Sequence, residues 1–352
     1  VAGGWLVDAL SWRAIFFLNV PLAVVTIALA MSSVPNSHKP DAQQQLDWPG
    51  ALSAAAGLAG LTYGLTEASA RGFVHPLVLS SIGAGVLVLA AFVMIEARSR
   101  YPMMPLDVFR SRDFTGANLV TLLLYFGLSG ALFFLPFTLI RAHGYTATEA
   151  GAALLPVPVI IGLLSRFTGG LTSRFGSQAL LSAGPAVAGI GFVMLGLPFV
   201  RGSYWAGFFP ALTVLGLGMT ITVAPLTTTV MGSVQSDRTG VASGINNAVA
   251  RIAGLLAIAV LGIVFVWSHD AALAARLDAL QVPPGARRTG QLLEPDAYSG
   301  AAGGDRRTLP RTPVAQAEAD AIADGLRAVA LVSAACAFAG AGLAMATIRR
   351  RK

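Results

Sequence analysis

Charge is what this chain has least of. Asp, Glu, Lys and Arg make up 12% of its 352 residues, about half the ~25% usual in a soluble domain. Cysteine occurs once, as Cys336 inside an apolar run; this excludes a disulfide within the chain and any cysteine metal cluster, and reads as a small lipid-buried residue. The four histidines, His38, His75, His143 and His269, all lie outside the apolar runs. The string Gly127-Leu128-Ser129-Gly130, which matches the short motif of an intramembrane serine protease, therefore has no base within its run, and a serine nucleophile needs one. Neither H-E-x-x-H nor G-x-x-x-x-G-K occurs, so zinc hydrolysis and ATP drive are not indicated, and no enzyme activity, metal site or organic cofactor is expected. No Asp or Glu stands in the middle of an apolar run, so the chain offers no proton carrier of its own there. The net charge of +7 is carried almost wholly by arginine, with Lys39 and Lys352 the only lysines. The arginines sit at the ends of apolar runs rather than on one face, which argues against a nucleic-acid partner.

What remains is apolar sequence in long runs: 55% of residues are hydrophobic. A hydrocarbon core about 30 Å thick needs roughly 20 apolar residues of helix, and nine stretches qualify. Ala14–Val34, Trp48–Thr66, Pro76–Ile95, Phe114–Ile140, Phe175–Val200, Gly202–Ser236 and Ala328–Ile348 carry no charge, while Ala150–Leu171 and Gly240–Trp267 carry one arginine each. Backbone amides in lipid must bond within their own segment, so these runs are helices. The expected fold class is an all-α integral membrane protein of nine transmembrane helices, whose first partner is the lipid bilayer.

Cytoplasmic loops hold the excess of Lys and Arg. With the Arg349-Arg350-Arg351-Lys352 tail placed inside, alternation puts eleven basic residues in inside segments (the tail, Arg238, Arg174, Arg98, Arg100, Arg110, Arg112 and Lys39) against four outside (Arg201, Arg141, Arg71 and Arg13). His38–Asp47 reads as a polar linker, and Trp48 as an interfacial aromatic. Arg98–Asp113, with Pro102 and Pro105 against helix continuation, marks a boundary between residues 1–113 and 114–352. The segment 268–326 is the one large extramembrane piece. Leu273, Leu277 and Leu280 recur with helical spacing there, Val314–Leu326 looks similar, and the region reads as a surface cap on the bundle or a substrate lid. Gly216, Gly218 and Pro225 in one span and Pro156 and Pro158 in another suit close helix approach and kinks, as in rocking transporters.

Gly3-Gly4 followed by Ser11-Trp12-Arg13-Ala14-Ile15-Phe16-Phe17-Leu18-Asn19-Val20-Pro21 resembles a signature of the major facilitator superfamily, in its branch of 14-helix drug:proton antiporters (the EmrB/QacA type). Trp48–Thr66 and Pro76–Ile95 resemble that branch's two inserted helices. Gly240-Val241-Ala242-Ser243-Gly244-Ile245-Asn246-Asn247 is similar to the opening of its thirteenth helix. Gly169-Gly170-Leu171-Thr172-Ser173-Arg174-Phe175-Gly176-Ser177-Gln178 resembles the superfamily loop motif, except that Ser173 replaces its acid and Ser177 and Gln178 its basic pair, which undercuts a charge-based gate latch although Arg174 remains. The resemblance maps the chain onto the end of helix 5 through helix 14. Residues 1–113 would then be the remainder of an N-terminal half with two inserted helices, and 114–352 a six-helix bundle. The chain opens on Val1, so the front of the protein, with the main coupling acid, is expected to lie upstream.

An ionisable group within a span is costly and a functional candidate by default. Arg251 lies about a third of the way through its run, past Asn246 and Asn247; it reads either as a substrate or gating contact or as an arginine reaching back to the surface. Arg166 reads as an anchor, and Glu67 and Glu96 as solvated span ends. Tyr125, Phe126, Phe133, Phe134 and Phe137 crowd one span, and 126, 133, 134 and 137 share a face with Gly130. By resemblance that helix lines a central cavity, where aromatic walls suit bulky lipophilic or cationic compounds; packing or lipid contact is the alternative. Asn118 on the same helix needs a partner, which substrate, water or a neighbouring helix could supply. Thr220, Thr222, Thr227, Thr228 and Thr229 either face a wet cavity or bond back to their own helix. Gly3, Gly4, Trp12, Arg13, Asn19, Pro21, Gly169, Arg174 and Gly176 are carried over from the family strings as gating or structural residues. Among these Trp12 reads as an interfacial anchor, and Asn19 either satisfies a backbone kinked at Pro21 or contacts substrate.

The resemblance implies a secondary exporter in a bacterial cell membrane, exchanging a lipophilic or cationic small molecule for protons by alternating access, with the C-terminus in the cytoplasm and a proton gradient as its energy source. A metabolite facilitator and a non-transporting membrane or interaction protein remain the alternatives, and the sequence leaves the oligomeric state open.

Overall fold

Helix is the only regular structure among the described residues of the computed structural model, which are 1–33, 47–100, 102–197, 204–282 and 312–349. Lys39, the glutamine run of the first linker, Arg201, residues 283–311 of the 268–326 segment and the last three residues lie outside them. In chain order the helices are α1 (Ala2–Ala9), α2 (Ala14–Ser33), α3 (Trp48–Arg71), α4 (Pro76–Arg98), α5 (Arg112–His143), α6 (Ala147–Ala153), α7 (Pro156–Phe175), α8 (Ser177–Leu195), α9 (Phe208–Gly232), α10 (Thr239–Ala279) and α11 (Pro313–Thr347). Short 3-10 turns, Leu106–Arg110 and Ser236–Arg238, precede α5 and α10.

Among the described residues eight helices are long and apolar enough to cross a membrane, one fewer than the nine runs read from the sequence. The difference is α3. It is helical over 24 residues, but Gly, Ala, Ser and Thr dilute its apolarity. Those small residues let it lie close against α4: a Cβ on Gly85 would stand 2.6 Å from the backbone nitrogen of Leu61. The run Ala150–Leu171 is also divided, at Leu154-Leu155, where Pro156 starts a new helix at the position its missing N–H favours.

Helices α5 and α7–α11 pack into one bundle, with α5 against α11, α8 against both α9 and α11, α10 against α5 and α11, and α7 against α9. Its core has two layers. One holds Leu135, Leu139, Phe192, Leu212, Leu215, Leu261 and Val329, all at most 1% exposed. The other, towards the arginine-bearing ends, holds Val108, Phe114, Leu181, Leu226, Val230 and Ile348. The α3–α4 hairpin touches the bundle through α10. Helix α2 contacts α1 and buries none of its residues.

The sequence reading of a separate amphipathic helix over 273–280 is corrected: α10 is continuous for 41 residues. No proline interrupts it, and Ala271–Ala279 is rich in strong helix formers, so the drop in hydropathy after Trp267 marks the end of an apolar segment and not of the helix. Likewise the residues from Val314 to Leu326 are the first turns of α11. The two extensions hold each other. Arg276 Nη2 donates to Asp324 Oδ2, Ser268 Oγ donates to the Asp324 carbonyl, and His269 lies 3.2 Å from Glu318 and 2.9 Å from Asp270. The Glu318 hydrogen bond raises the His269 pKa above its ordinary 6.5, with Asp270 assisting and burial opposing. Because the folded-state value is the raised one, this contact contributes fully below about pH 6.5 and fades as pH rises through the folded value. Thermal unfolding of the purified protein is therefore expected to fall between pH 6 and pH 8, and His269→Gln to flatten that slope.

Candidate substrate-facing site

The polar residues of the bundle divide into a buried set and an exposed set. In the buried set, Asn118 is 4% and Thr121 1% exposed. Asn118 Nδ2 donates to the Phe114 carbonyl (2.9 Å) and Thr121 Oγ1 to the Ala117 carbonyl (2.9 Å), which leaves Asn118 Oδ1 and a lone pair of Thr121 free to accept. Asn246 of α10 fills both, its Nδ2 donating to Asn118 Oδ1 (3.1 Å) and to Thr121 Oγ1 (2.7 Å). Asn118 and Asn246 each stand about 10 Å along their helices from the start of α5 and α10. The partner that Asn118 needed is thus a neighbouring helix. The cluster ties α5 to α10, with Asn118 and Thr121 buried and Asn246 half-buried. Thr121 was missed from the sequence; its signal is the Asn-x-x-Thr spacing that puts it one turn above Asn118.

The aromatic face of α5 also divides. Phe134 is 8% exposed and stacks on Phe265 of α10, with centroids 4.8 Å apart and planes at 13°. Phe137 meets the same ring edge-on at 5.7 Å, and Phe265 in turn stacks on His269 at 6.3 Å. Phe134 therefore takes the packing alternative. Tyr125 and Phe126 are half-buried against the core, while Phe133 and Phe137 are 51% and 42% exposed. Ser129, the serine of the protease-like string, packs against Gly254: a Cβ there would lie 3.2 Å from its hydroxyl.

The exposed set lies on α10. Gly244, Asn247, Arg251, Leu255 and Ile258 follow at helical spacing and are all exposed, opposite the buried face that carries Ala242, Ile245, Ala253 and Ala257. Arg251 stands about 16 Å along the axis from Gly240 and pairs with no acid among the described residues. The five threonines singled out on α9, Thr220, Thr222, Thr227, Thr228 and Thr229, all bond back to their own helix, for example Thr220 to the Gly216 carbonyl at 2.7 Å and Thr229 to that of Pro225 at 2.7 Å. Only Thr227 and Thr228 keep exposed surface on the helix flank.

The arginine-bearing ends meet in one layer. Arg238 Nη1 donates to Asp107 Oδ2 at 2.5 Å, and Asp113 Oδ1 accepts from the Arg349 amide at 2.8 Å. The Arg238 hydrogen bond holds the Asp107 carboxyl below its ordinary range. A recess of about 140 Å³ opens beside them, lined by Asp113, Thr172, Ser177, Thr229, Ser233 and Arg349. Of the family strings placed here, Gly169 lies within α7, Arg174 is exposed with its guanidinium 5.5 Å from the Phe175 ring centre, and Gly176 takes φ +79° between α7 and α8. That positive φ suits glycine, and it lets two helices meet across a single residue. An ion pair of this layer, Arg238–Asp107, thus lies outside the loop motif.

At the other end α1 docks on the start of α6. Gly4 lies so close to Ala147 that a Cβ would stand 2.3 Å from its carbonyl oxygen, whereas Gly3 faces open space. Asp8 accepts from the Thr148 amide (2.8 Å) and hydroxyl (2.6 Å), and the hydroxyl contact lowers its pKa. Trp12 carries the Arg13 guanidinium 5.5 Å from its ring centre and meets Phe16 edge-on. Asn19 is exposed on α2, beside Pro21 within the same helix.

Residues 1–258 match the sequence profile of the Major Facilitator Superfamily. Among curated proteins, Multidrug resistance protein Stp of Mycobacterium tuberculosis is 30% identical over 338 residues, which is 95% of this chain and 62% of that protein. Tetracenomycin C resistance and export protein of Streptomyces glaucescens is 28% identical over 75% of the chain and 49% of its own length. Cephamycin export protein CmcT of Amycolatopsis lactamdurans is 31% identical over 74% and 54%. The chain thus spans between about half and 62% of the relatives it matches.

Proposed function

This chain belongs to the Major Facilitator Superfamily, and on that premise we propose that it serves a secondary exporter of lipophilic small molecules, working by alternating access with protons as the counter-ion and with its arginine-bearing layer in the cytoplasm. The observation that carries the reading is the exposed strip of α10. A charged residue deep in an apolar helix is costly, and Arg251 stands there unpaired, one turn from Asn247, with lipid-length apolar sequence on either side. The exposed rings of Phe133 and Phe137 add an apolar wall on α5 that can stack on or bury a bulky compound. The printed names of the relatives, multidrug resistance and antibiotic export among them, favour the same direction of transport.

The test is accumulation of a fluorescent lipophilic dye in cells expressing the protein, with and without a protonophore. Export that survives collapse of the proton gradient would turn the reading towards a facilitator. Arg251→Gln is expected to slow export about tenfold, the equivalent of about 1.4 kcal/mol in the barrier, at unchanged abundance in the membrane. Export by Arg251→Gln at the wild-type rate would return Arg251 to the role of a surface-seeking arginine.

A further inference from the structure

Glu96, read from the sequence as a solvated helix end, is not solvated: it is 3% exposed. It stands one residue beyond the apolar run of α4. Its Oε2 accepts the Met104 amide at 2.9 Å. Its Oε1 is buried and has no hydrogen-bond partner, and the same holds for Oδ2 of Asp47. Asp47 caps α3, with Oδ1 accepting the Gly50 amide at 2.8 Å. The two orphan oxygens share one recess over Gly50, where a Cβ would stand 2.7 Å from Glu96 Oε1 and 3.0 Å from Asp47 Oδ2. Asp47, from α3, is the Coulombic neighbour of Glu96, and the loop after α4 contributes the amides of Met103 and Met104. Arg98 and Arg100, its basic neighbours in sequence, are exposed.

We propose that Asp47 and Glu96 form a proton-binding site that retains one proton, held on Glu96. Two bare carboxylates in one buried recess would leave two desolvated like charges with no donor between them, an arrangement that proteins relieve by retaining a proton. A single proton on Oε1 supplies the missing donor, aimed towards Asp47 Oδ2. The choice of acid follows from position. Asp47 caps the α3 N-terminus, whose amides and dipole favour negative charge; Glu96 is the more deeply buried, and its desolvation outweighs the amides of Met104 and Met103. A divalent cation would need about six oxygen ligands, and no group of three or more acidic, histidine or cysteine ligands occurs among the described residues. The occupied site joins the N-terminus of α3, the end of α4 and the loop that leads to α5, so its proton fastens the α3–α4 hairpin to the chain entering the bundle. The assignment does not depend on the exporter reading.

Infrared spectra of the purified full chain in lipid nanodiscs, recorded against pH in D2O, test it. The carbonyl band of a neutral carboxylic acid is expected to persist at pH 7 and to vanish in Glu96→Gln. In Asp47→Asn the band should titrate at lower pH, because the neighbouring negative charge is gone while the burial of Glu96 remains. Should Glu96→Gln fail to fold, the Asp47→Asn shift decides alone, since that variant keeps Glu96. No neutral-acid band at pH 7, a band indifferent to Glu96→Gln, or an Asp47→Asn midpoint that does not move each overturns the proposal. Loss of the band on adding millimolar Na+, K+ or Mg2+ overturns it in favour of a metal cation.

Discussion

Gly218→Val is expected to destabilise the bundle by about 3 kcal/mol, the upper end of the overpacking range, and to lower recovery of folded protein. A Cβ at Gly218 would stand 2.3 Å from the Ala188 backbone nitrogen and 2.7 Å from its Cα. Backbone cannot swing aside as the tip of a side chain can, so α8 and α9 must separate. They cannot do so locally. Gly184 and Gly191 hold the same contact on either side, the latter so tightly that a Cβ would lie 2.7 Å from the Leu215 nitrogen. Phe192, Leu212 and Leu215, each at most 1% exposed, lie beneath. Small residues along such a seam are what allow lipid-embedded helices to touch. Gly83→Ala is the control: nothing lies within 4 Å of a Cβ there, and an alanine in a helix is favoured over glycine by about 1 kcal/mol. Thermal unfolding in nanodiscs should place the two variants on opposite sides of the wild type, and equal melting would contradict the close contact of α8 with α9.

Asn246→Ala should cost about 1–2 kcal/mol. It removes the donor to Asn118 Oδ1, which is then buried with no partner, and leaves Thr121 with its own helix bond only. The loss of a buried partner costs about 1–3 kcal/mol in general, and interhelical bonds in membranes average about 0.6 with a maximum near 1.7; the lower figures govern here because Asn246 itself is only half-buried. A double-mutant cycle with Asn118→Ala isolates the bond. A coupling energy near zero would mean that the cluster does not clasp α5 to α10.

Much of the fold was legible in apolar run length, because a lipid-spanning helix must satisfy its own amides and its sequence says so without reference to any neighbour. The helix start at Pro156 and the junction at Gly176 were not legible in it: run length alone merges the first into Ala150–Leu171 and the second into Phe175–Val200. The site was less legible. Asn118 was correctly marked as needing a partner, but its partner lies 128 residues away, and nothing local says whether that will be water, substrate or Asn246. Phe134 and Phe133 are adjacent, and helical spacing placed both on the same broad face. Only the arrival of Phe265 makes one of them core and leaves the other exposed. Glu96 failed for the converse reason: a carboxylate at the end of an apolar run is ordinarily wet, and its burial depends on the α3–α4 hairpin folding Asp47 over it. Glu67, in the same hairpin, behaved as expected, pairing with Arg71 one turn along.

Helix α10 has 41 residues, about 60 Å at 1.5 Å per residue, roughly twice the thickness of the hydrocarbon it crosses. A rod of that length works as a lever. A tilt of about 5° around the Asn246 clasp would carry its far tip some 4–5 Å, enough to drag the Arg276–Asp324 and His269–Glu318 contacts, and α11 with them. A single uninterrupted spar thus joins the Asn246 clasp at one end to the Arg276–Asp324 and His269–Glu318 contacts at the other, and presents Arg251 along its length.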